Sequence, residues 1–312
     1  MPGRMLARLQ RLIALSLLAA LLLATWLAFR LDAPLLWLLP VFVGGGYAAV
    51  LAIEFWLLRR SYDAADSERP SLKQLLLAWA AEVSGSPRVF LWRQPFRSRA
   101  EADHFPAGGK GRRGVLFVHG FFCNRGLWNP WMRRLRAAGI PFVAVNLEPV
   151  FGSIDSYASI VEKAVRSLEQ ATGVAPVIVA HSMGGLAVRS WLKDAGRSER
   201  FHRLVTVATP HAGTSIAARS VGANMAQMRP GGDWLARLAE GSPALRTRFV
   251  CFWSHCDNIV FPTRNATLAG ADNRHLVATP HVQMAYHPAV FEEVFRLVGA
   301  VEPVATTRRR SP

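Results

Sequence analysis

A chain of 312 residues, 51% of them hydrophobic, is long enough for one sizeable α/β domain with further elements attached. Its formal net charge of +16 comes largely from arginine. No basic stripe interleaved with stacking aromatics and no nucleic-acid module accompanies that charge, so a nucleic-acid partner is excluded. The three cysteines, Cys123, Cys251 and Cys256, exclude a disulfide framework, and reduced thiols fit a cytoplasmic setting.

At the N-terminus, Leu12 to Phe29 is an uncharged apolar run preceded by Arg4, Arg8 and Arg11. Leu35 to Leu58 is a second, broken only by Glu54 and followed by Arg59 and Arg60. Each can cross the roughly 30 Å hydrocarbon core as a helix, and the connector Arg30-Leu31-Asp32-Ala33-Pro34 permits only a tight hairpin. A signal peptide is the alternative, but its apolar region usually spans about 7–15 residues and ends at an Ala-x-Ala-like site. The first run here is longer, and a second follows it. Residues 1–60 therefore read as a transmembrane hairpin, with positive charge at its outer ends placing both termini on the cytoplasmic side.

Residues 61–113 read as a linker and N-terminal extension. Ser61 to Pro70 is polar, and Ser71 to Val83 has the pattern of an amphipathic helix, its leucines and Trp79 suited to a core or a membrane surface. Val89 to Phe96 is a strand candidate, and residues 107–114 form a glycine-rich turn.

From residue 114 to 300 the pattern becomes regular. Strands are expected at Val115–Val118, Phe142–Leu147, Val177–Ala180, Leu204–Ala208, Phe249–Trp253 and His275–Thr279. Helical patterns lie near Trp128–Ala138, Ser156–Ala171, Gly184–Ala195 and Pro288–Val298. Continuous apolar strands alternating with helices imply a parallel sheet. The stretch 214–247 interrupts this rhythm and is expected to be a lid-like insertion or an acyl-pocket wall, with a plain packing extension as the alternative. Residues 301–312 read as a disordered basic tail.

The chemistry concentrates in Val177-Ile178-Val179-Ala180-His181-Ser182-Met183-Gly184-Gly185. An apolar run ends abruptly in a serine between small residues and passes at once into a helix, as when a serine nucleophile is mounted on a strand-to-helix turn. A neutral hydroxyl needs a base and an orienting acid, and sites in open parallel sheets form at the carboxyl ends of strands. Ser182 follows one such strand, Asp257 follows Phe249–Trp253, and His281 follows the last strand. His275 is expected at that strand's beginning, His287 at the start of the final helix, and Asp155 at a helix cap. Asp233 and Asp272 are expected in less constrained loops. His181 and His211 are expected to be structural. The backbone amides of Met183 and Phe121 are the expected oxyanion donors. Trp128, Trp131 and Phe151 are candidates for acyl contact or for the core. A zinc site from Cys251, His255 and Cys256 matches no standard spacing.

These residues carry a family resemblance. From about Gly114 to Val298 the chain resembles bacterial lipases and esterases of the α/β-hydrolase superfamily. Val118-His119-Gly120 is similar to the oxyanion strand and loop of that family, Ala180 to Gly185 to its nucleophile elbow, and Ala208-Thr209-Pro210-His211-Ala212-Gly213-Thr214 to a segment common in these lipases. Ala180 stands where the usual pattern has glycine, as it does in some lipases. The resemblance implies an α/β-hydrolase fold and a Ser182–Asp257–His281 triad; together with the hairpin it points to a lipid or other apolar ester as substrate and to a place at a bacterial inner membrane. No aspartate pair suits a calcium site, so no metal and no cofactor are expected. An acyltransferase or thioesterase would use the same triad, and a non-catalytic membrane scaffold would keep only the fold.

Overall fold

The computed structural model describes residues 5–32, 34–63, 68–193, 198–220, 222–240 and 243–299. Arg4 and the basic tail lie outside the described residues.

Helix α1 (Met5–Arg30) and helix α2 (Leu38–Arg60), joined through a 3-10 turn at Pro34–Trp37, are long and apolar enough to cross a membrane. Most of their large side chains face outward: Leu22, Phe29, Val41 and Phe42 are each at least 62% exposed. Burial is confined to the start of α1 (Leu6, Ala7, Gln10), two alanines near the connector, and the second half of α2 (Leu51, Phe55, Leu58). Phe55 and Leu58 pack against Leu75, Ala78, Cys256 and Phe261, so α2 ends on the body of the α/β domain.

Helix α3 (Leu72–Pro87) begins at a capping box: Ser71 Oγ accepts from the Gln74 amide, and the Gln74 side chain accepts from the Ser71 amide. It runs along α2, where Trp79 Nε1 donates to the Ala48 carbonyl. The expected strand at Val89–Phe96 is absent. Residues Arg88–Arg93 form a π-helical turn that leads into α4 (Gln94–Arg97). The apolar run is too short for its period to decide between helix and strand. Only Val89 of that run is fully buried, while Leu91 and Trp92 face outward, as on one face of a helix.

The remaining elements follow in order: β1 (Val115–Val118), α5 (Asn129–Ala137), β2 (Phe142–Ala144), α6 (Ala158–Thr172), β3 (Val177–His181), α7 (Met183–Trp191) and β4 (Arg203–Val207). Then come α8 (Ala223–Gln227), α9 (Asp233–Ala239), α10 (Pro243–Arg246), β5 (Phe249–Trp253), β6 (Asp272–His275), α11 (His281–Met284) and α12 (Pro288–Val298). The six strands form one parallel sheet in the order β2-β1-β3-β4-β5-β6. Alternate side chains fill two cores. Leu116, Val118, Ile178 and Leu204 meet α6 and α7 on one face, while Val115, Phe117, Val179 and Val205 meet α5 and α12 on the other. Burial on both faces is why these strands read as unbroken apolar runs.

The last strand lies earlier than the sequence suggests. It is Asp272–His275, a polar edge strand hydrogen-bonded to β5 alone, and Leu276 to Thr279 form its exit. His275 therefore stands at the carboxyl end of its strand, not at the beginning, with Nε2 2.6 Å from His255 Nδ1.

The described residues of the 214–247 stretch fold as short helical pieces packed on the body. Met225, Met228, Trp234, Leu235 and Leu238 are buried in the α6–α7 core. Polar ties add to this: Asn224 Nδ2 donates to the Val150 carbonyl, Arg189 to the Leu238 carbonyl, and Trp234 Nε1 to Asp155.

Candidate active site

Ser182 sits between the end of β3 and the first residue of α7, at φ 55 and ψ −132. A non-glycine residue there is strained, at a cost of about 1–3 kcal/mol, and persists only because its surroundings hold it. Here the Ser182 amide donates to the Val207 carbonyl at 2.8 Å, and its carbonyl accepts from Thr209 Oγ1 at 2.9 Å. Neighbouring glycines leave room for the turn. A Cβ at Gly184 would lie 2.5 Å from the His119 carbonyl oxygen, and one at Gly120 would lie 2.7 Å from Ser182 Cβ.

Asp257 and His281 meet at the exits of β5 and β6. His281 Nδ1 lies 2.9 and 3.1 Å from the two oxygens of Asp257, whose side chain is fully buried. Asp257 Oδ1 also accepts from the amides of Ile259 and Val260, each at 2.9 Å. The carboxylate is thus fixed, and it fixes the proton of His281 on Nδ1, which leaves Nε2 as the basic nitrogen. Burial opposes charging this ring. The Asp257 charge and hydrogen bond, with the charges of Glu82 and Glu54, outweigh it and hold His281 above the ordinary imidazole value.

His181 and His119 brace the site without being acids or bases. The His181 ring lies tilted against that of His281, centroids 4.7 Å apart, and its Nε2 donates to the His281 carbonyl at 3.1 Å. Burial pushes it down to about 3, so it remains a neutral wedge between the serine turn and the base. His119 Nε2 accepts from the Leu147 amide at 3.0 Å, which leaves Nδ1 to donate to the Gly120 carbonyl at 2.9 Å. Burial holds it at about 4, neutral and locked in one tautomer. Among the described residues, neither the Phe121 nor the Met183 amide donates to another protein group. Phe121 lies in the loop after β1 and Met183 opens α7 directly after Ser182, so each has a donor to spare for an oxyanion.

The competitors fall elsewhere. His287 caps α12, accepting from the Ala289 amide. His211 is buried beneath the sheet end against Thr206, Cys251 and Arg189. Asp155 does not cap a helix: Ser153 does so, and Asp155 instead accepts from Ser190 and Trp234. Asp233 opens α9, and Asp272 opens β6. Trp128 and Trp131 are core residues, fully buried with Trp128 stacked on Phe117 and Trp131 on Phe291. Phe151 is 55% exposed and packs edge-on against Phe121. Among the described residues, no cluster of three metal-ligating side chains occurs, and all three cysteines are free.

A model of the Alpha/beta hydrolase family matches residues 115–308. The chain belongs to the alpha/beta hydrolase family. The solved structures that this chain resembles include Bacillus licheniformis lipase BlEst2 in its mature form, at 16% identity and a TM-score of 0.53, over 63% of this chain and 95% of that one. Another is Aspergillus fumigatus lipase B, at 18% identity and a TM-score of 0.52, over 66% of this chain and 58% of the fungal one. At these identities the likeness is one of fold. No curated protein matches this chain in sequence.

Helices outside the hydrolase core supply residues that sequence reasoning missed. Gln10 of α1 donates to the Phe122 carbonyl at 3.1 Å and accepts from Asn124 at 3.0 Å, beside the oxyanion loop. Glu54 of α2 accepts from Asn258 Nδ2 at 2.7 Å, and Glu82 of α3 from the Val282 amide at 3.2 Å. Glu54 alone carried a signal, as a lone charged residue inside an apolar helix; Gln10, between Arg8 and Arg11, and Glu82, on a helix that also bears Lys73 and Gln74, carried none.

The crowding at Gly120 yields a direct expectation. Gly120→Ala should cut kcat/KM for an ester by about 10²-fold, since displacing the serine by around an ångström costs that much. Steady-state hydrolysis by protein of wild-type melting temperature checks this.

Proposed function

We propose that this chain is a membrane-anchored serine hydrolase that cleaves carboxylic esters of lipids resident in the bilayer. Ser182 attacks the ester carbonyl while His281 Nε2 takes its proton and Asp257 holds the imidazole. The Phe121 and Met183 amides receive the oxyanion. His281 then protonates the leaving alcohol, and water, deprotonated by the same histidine, releases the acid from the acyl-enzyme.

The observation that carries the substrate class is where the two long helices land. α1 is bonded at Gln10 to the loop that follows the oxyanion strand, and α2 is bonded at Glu54 to the loop that holds the acid. One leg of the hairpin therefore meets each side of the catalytic machinery. With both legs in a bilayer, an ester in the adjacent leaflet is nearer to Ser182 than one in bulk water. Exposed Phe151 against Phe121 adds apolar surface beside the oxyanion loop, and the packed 214–247 segment acts as a fixed wall. Arg8, Arg11, Arg59 and Arg60 at the outer ends favour the cytoplasmic face of an inner membrane.

The test is an ester panel in proteoliposomes, with free fatty acid as the readout. Each buried methylene of an acyl chain contributes about 0.8 kcal/mol. Long-chain acylglycerols should therefore exceed butyryl esters in kcat/KM by at least ~10²-fold, with the acyl group passing to water. Turnover confined to short soluble esters, or transfer of the acyl group to an added alcohol, would argue against this reading.

A further inference from the structure

His281 is served by more carboxylates than a triad uses. Glu82 lies on α3, almost fully buried, and its Oε1 accepts from the amide of Val282, the residue after the base. Its Oε2 has no partner among the described residues. Glu54 lies on α2, and its Oε2 accepts from Asn258 Nδ2, while Asn258 Oδ1 accepts from the His281 amide at 3.2 Å. Two carboxylates from two separate N-terminal helices thus end on the amides of consecutive residues, one directly and one through an asparagine.

We propose that Glu54 and Glu82 are positioning residues for His281, clamping the turn that carries the base and setting the negative field around its ring. The proposal rests on His281 being the base of the reaction. Simple packing would be served more cheaply by apolar side chains, because a buried carboxylate loses its hydration and regains little from one amide bond. What both carboxylates share is proximity to a ring that must become cationic during acylation, and negative charge already in place there stabilises the imidazolium without reorganisation. Burial pushes Glu82 up to about 7, so it ionises in the range where His281 works as a base.

The groups that face His281 are few. Asp257 binds its Nδ1, His181 packs against it at a tilt as a neutral ring, and Glu54 and Glu82 approach from the N-terminal helices. Around Glu82 stand Tyr47, whose hydroxyl donates to the Glu82 carbonyl, together with Ser86 and Tyr286. The nearest cation, Arg93, lies over the Tyr286 ring and is not among the groups that shift Glu82 or His281, so loss of either carboxylate has one sign: it lowers the pKa of His281. The acid limb of kcat/KM, where the base becomes protonated, then moves to lower pH.

The experiment uses the full chain in detergent micelles, with a p-nitrophenyl ester and active sites counted by fluorophosphonate titration. Glu82→Gln and Glu54→Gln keep an acceptor oxygen and remove the charge. Each should move the acid limb down by about 0.5 pH unit, and the double variant by about 1. Plateau kcat per titrated site should fall by ~3- to 10-fold as the base weakens. Should one variant fail to fold, the other carries the same expectation, and a purely structural role would lower the melting temperature with the midpoint unmoved. Titratable sites with an unchanged midpoint overturn this proposal alone; a wild-type chain with no labelling at Ser182 overturns it together with the hydrolase reading.

Discussion

Asp257→Asn is expected to lower kcat by about 10⁴-fold while leaving the fold in place. The wild-type carboxylate receives the Nδ1 proton of His281 and two backbone amides. An asparagine can keep the two amide bonds through its oxygen, but it then turns its NH₂ group toward the ring. That stabilises the tautomer with the proton on Nε2, where it cannot accept the proton of Ser182. The same change removes the largest influence that raises the pKa of His281, so the residual activity should persist to lower pH than in the wild type. Both effects are read from one kcat/KM profile across pH. A loss below tenfold would mean that another group orients the base.

Ser182→Gly should abolish turnover and stabilise the protein. Loss of a triad nucleophile typically costs about 10⁶-fold in kcat. The stability gain follows from the backbone, because φ 55 with ψ −132 is costly for serine and open to glycine. We expect about 1 kcal/mol, reduced by the extra freedom glycine adds to the unfolded chain. Ser182→Ala should be equally inactive without that gain, since alanine bears the same backbone strain. Thermal melts of the two variants beside the wild type separate these terms. Equal melting temperatures for glycine and alanine would remove the argument from strain.

Much of this architecture is legible in the sequence, for reasons tied to particular residues. Strands buried on both faces, such as Val115–Val118 and Val177–His181, announce themselves as apolar runs. Ser182, Asp257 and His281 were selected by their places after strands, and the fold brings Asp257 and His281 into contact. Edge strand β6 was misread because Asp272-Asn273-Arg274-His275 is polar and exposed, while the apolar Leu276-Val277-Ala278 beside it imitates a strand. His281 was still found, since the shift moved the strand and not the exit loop. The segment at Val89–Phe96 was misread because four apolar residues fit either period. Gln10, Glu54 and Glu82 escaped notice as site residues because their partners lie 84 or more positions away and only tertiary packing unites them.

That packing changes the meaning of the N-terminal helices. Their contacts end on the segments after β1, β5 and β6, at Phe122, Asn258 and Val282, so under the proposed function attachment and catalysis share the same segments. A hairpin serving only as an anchor would need no half-buried glutamate at its contact with the body.

The central claim is that Ser182 is the nucleophile, and the measurement that tests it most directly is covalent labelling. The full-length protein in detergent is treated with a fluorophosphonate, digested, and the modified peptide sequenced by mass spectrometry. The predicted result is one adduct, on Ser182, formed at a rate that falls as His281 is protonated and absent from Ser182→Ala. An adduct on another residue, or folded wild-type protein that takes up no label, would contradict the account.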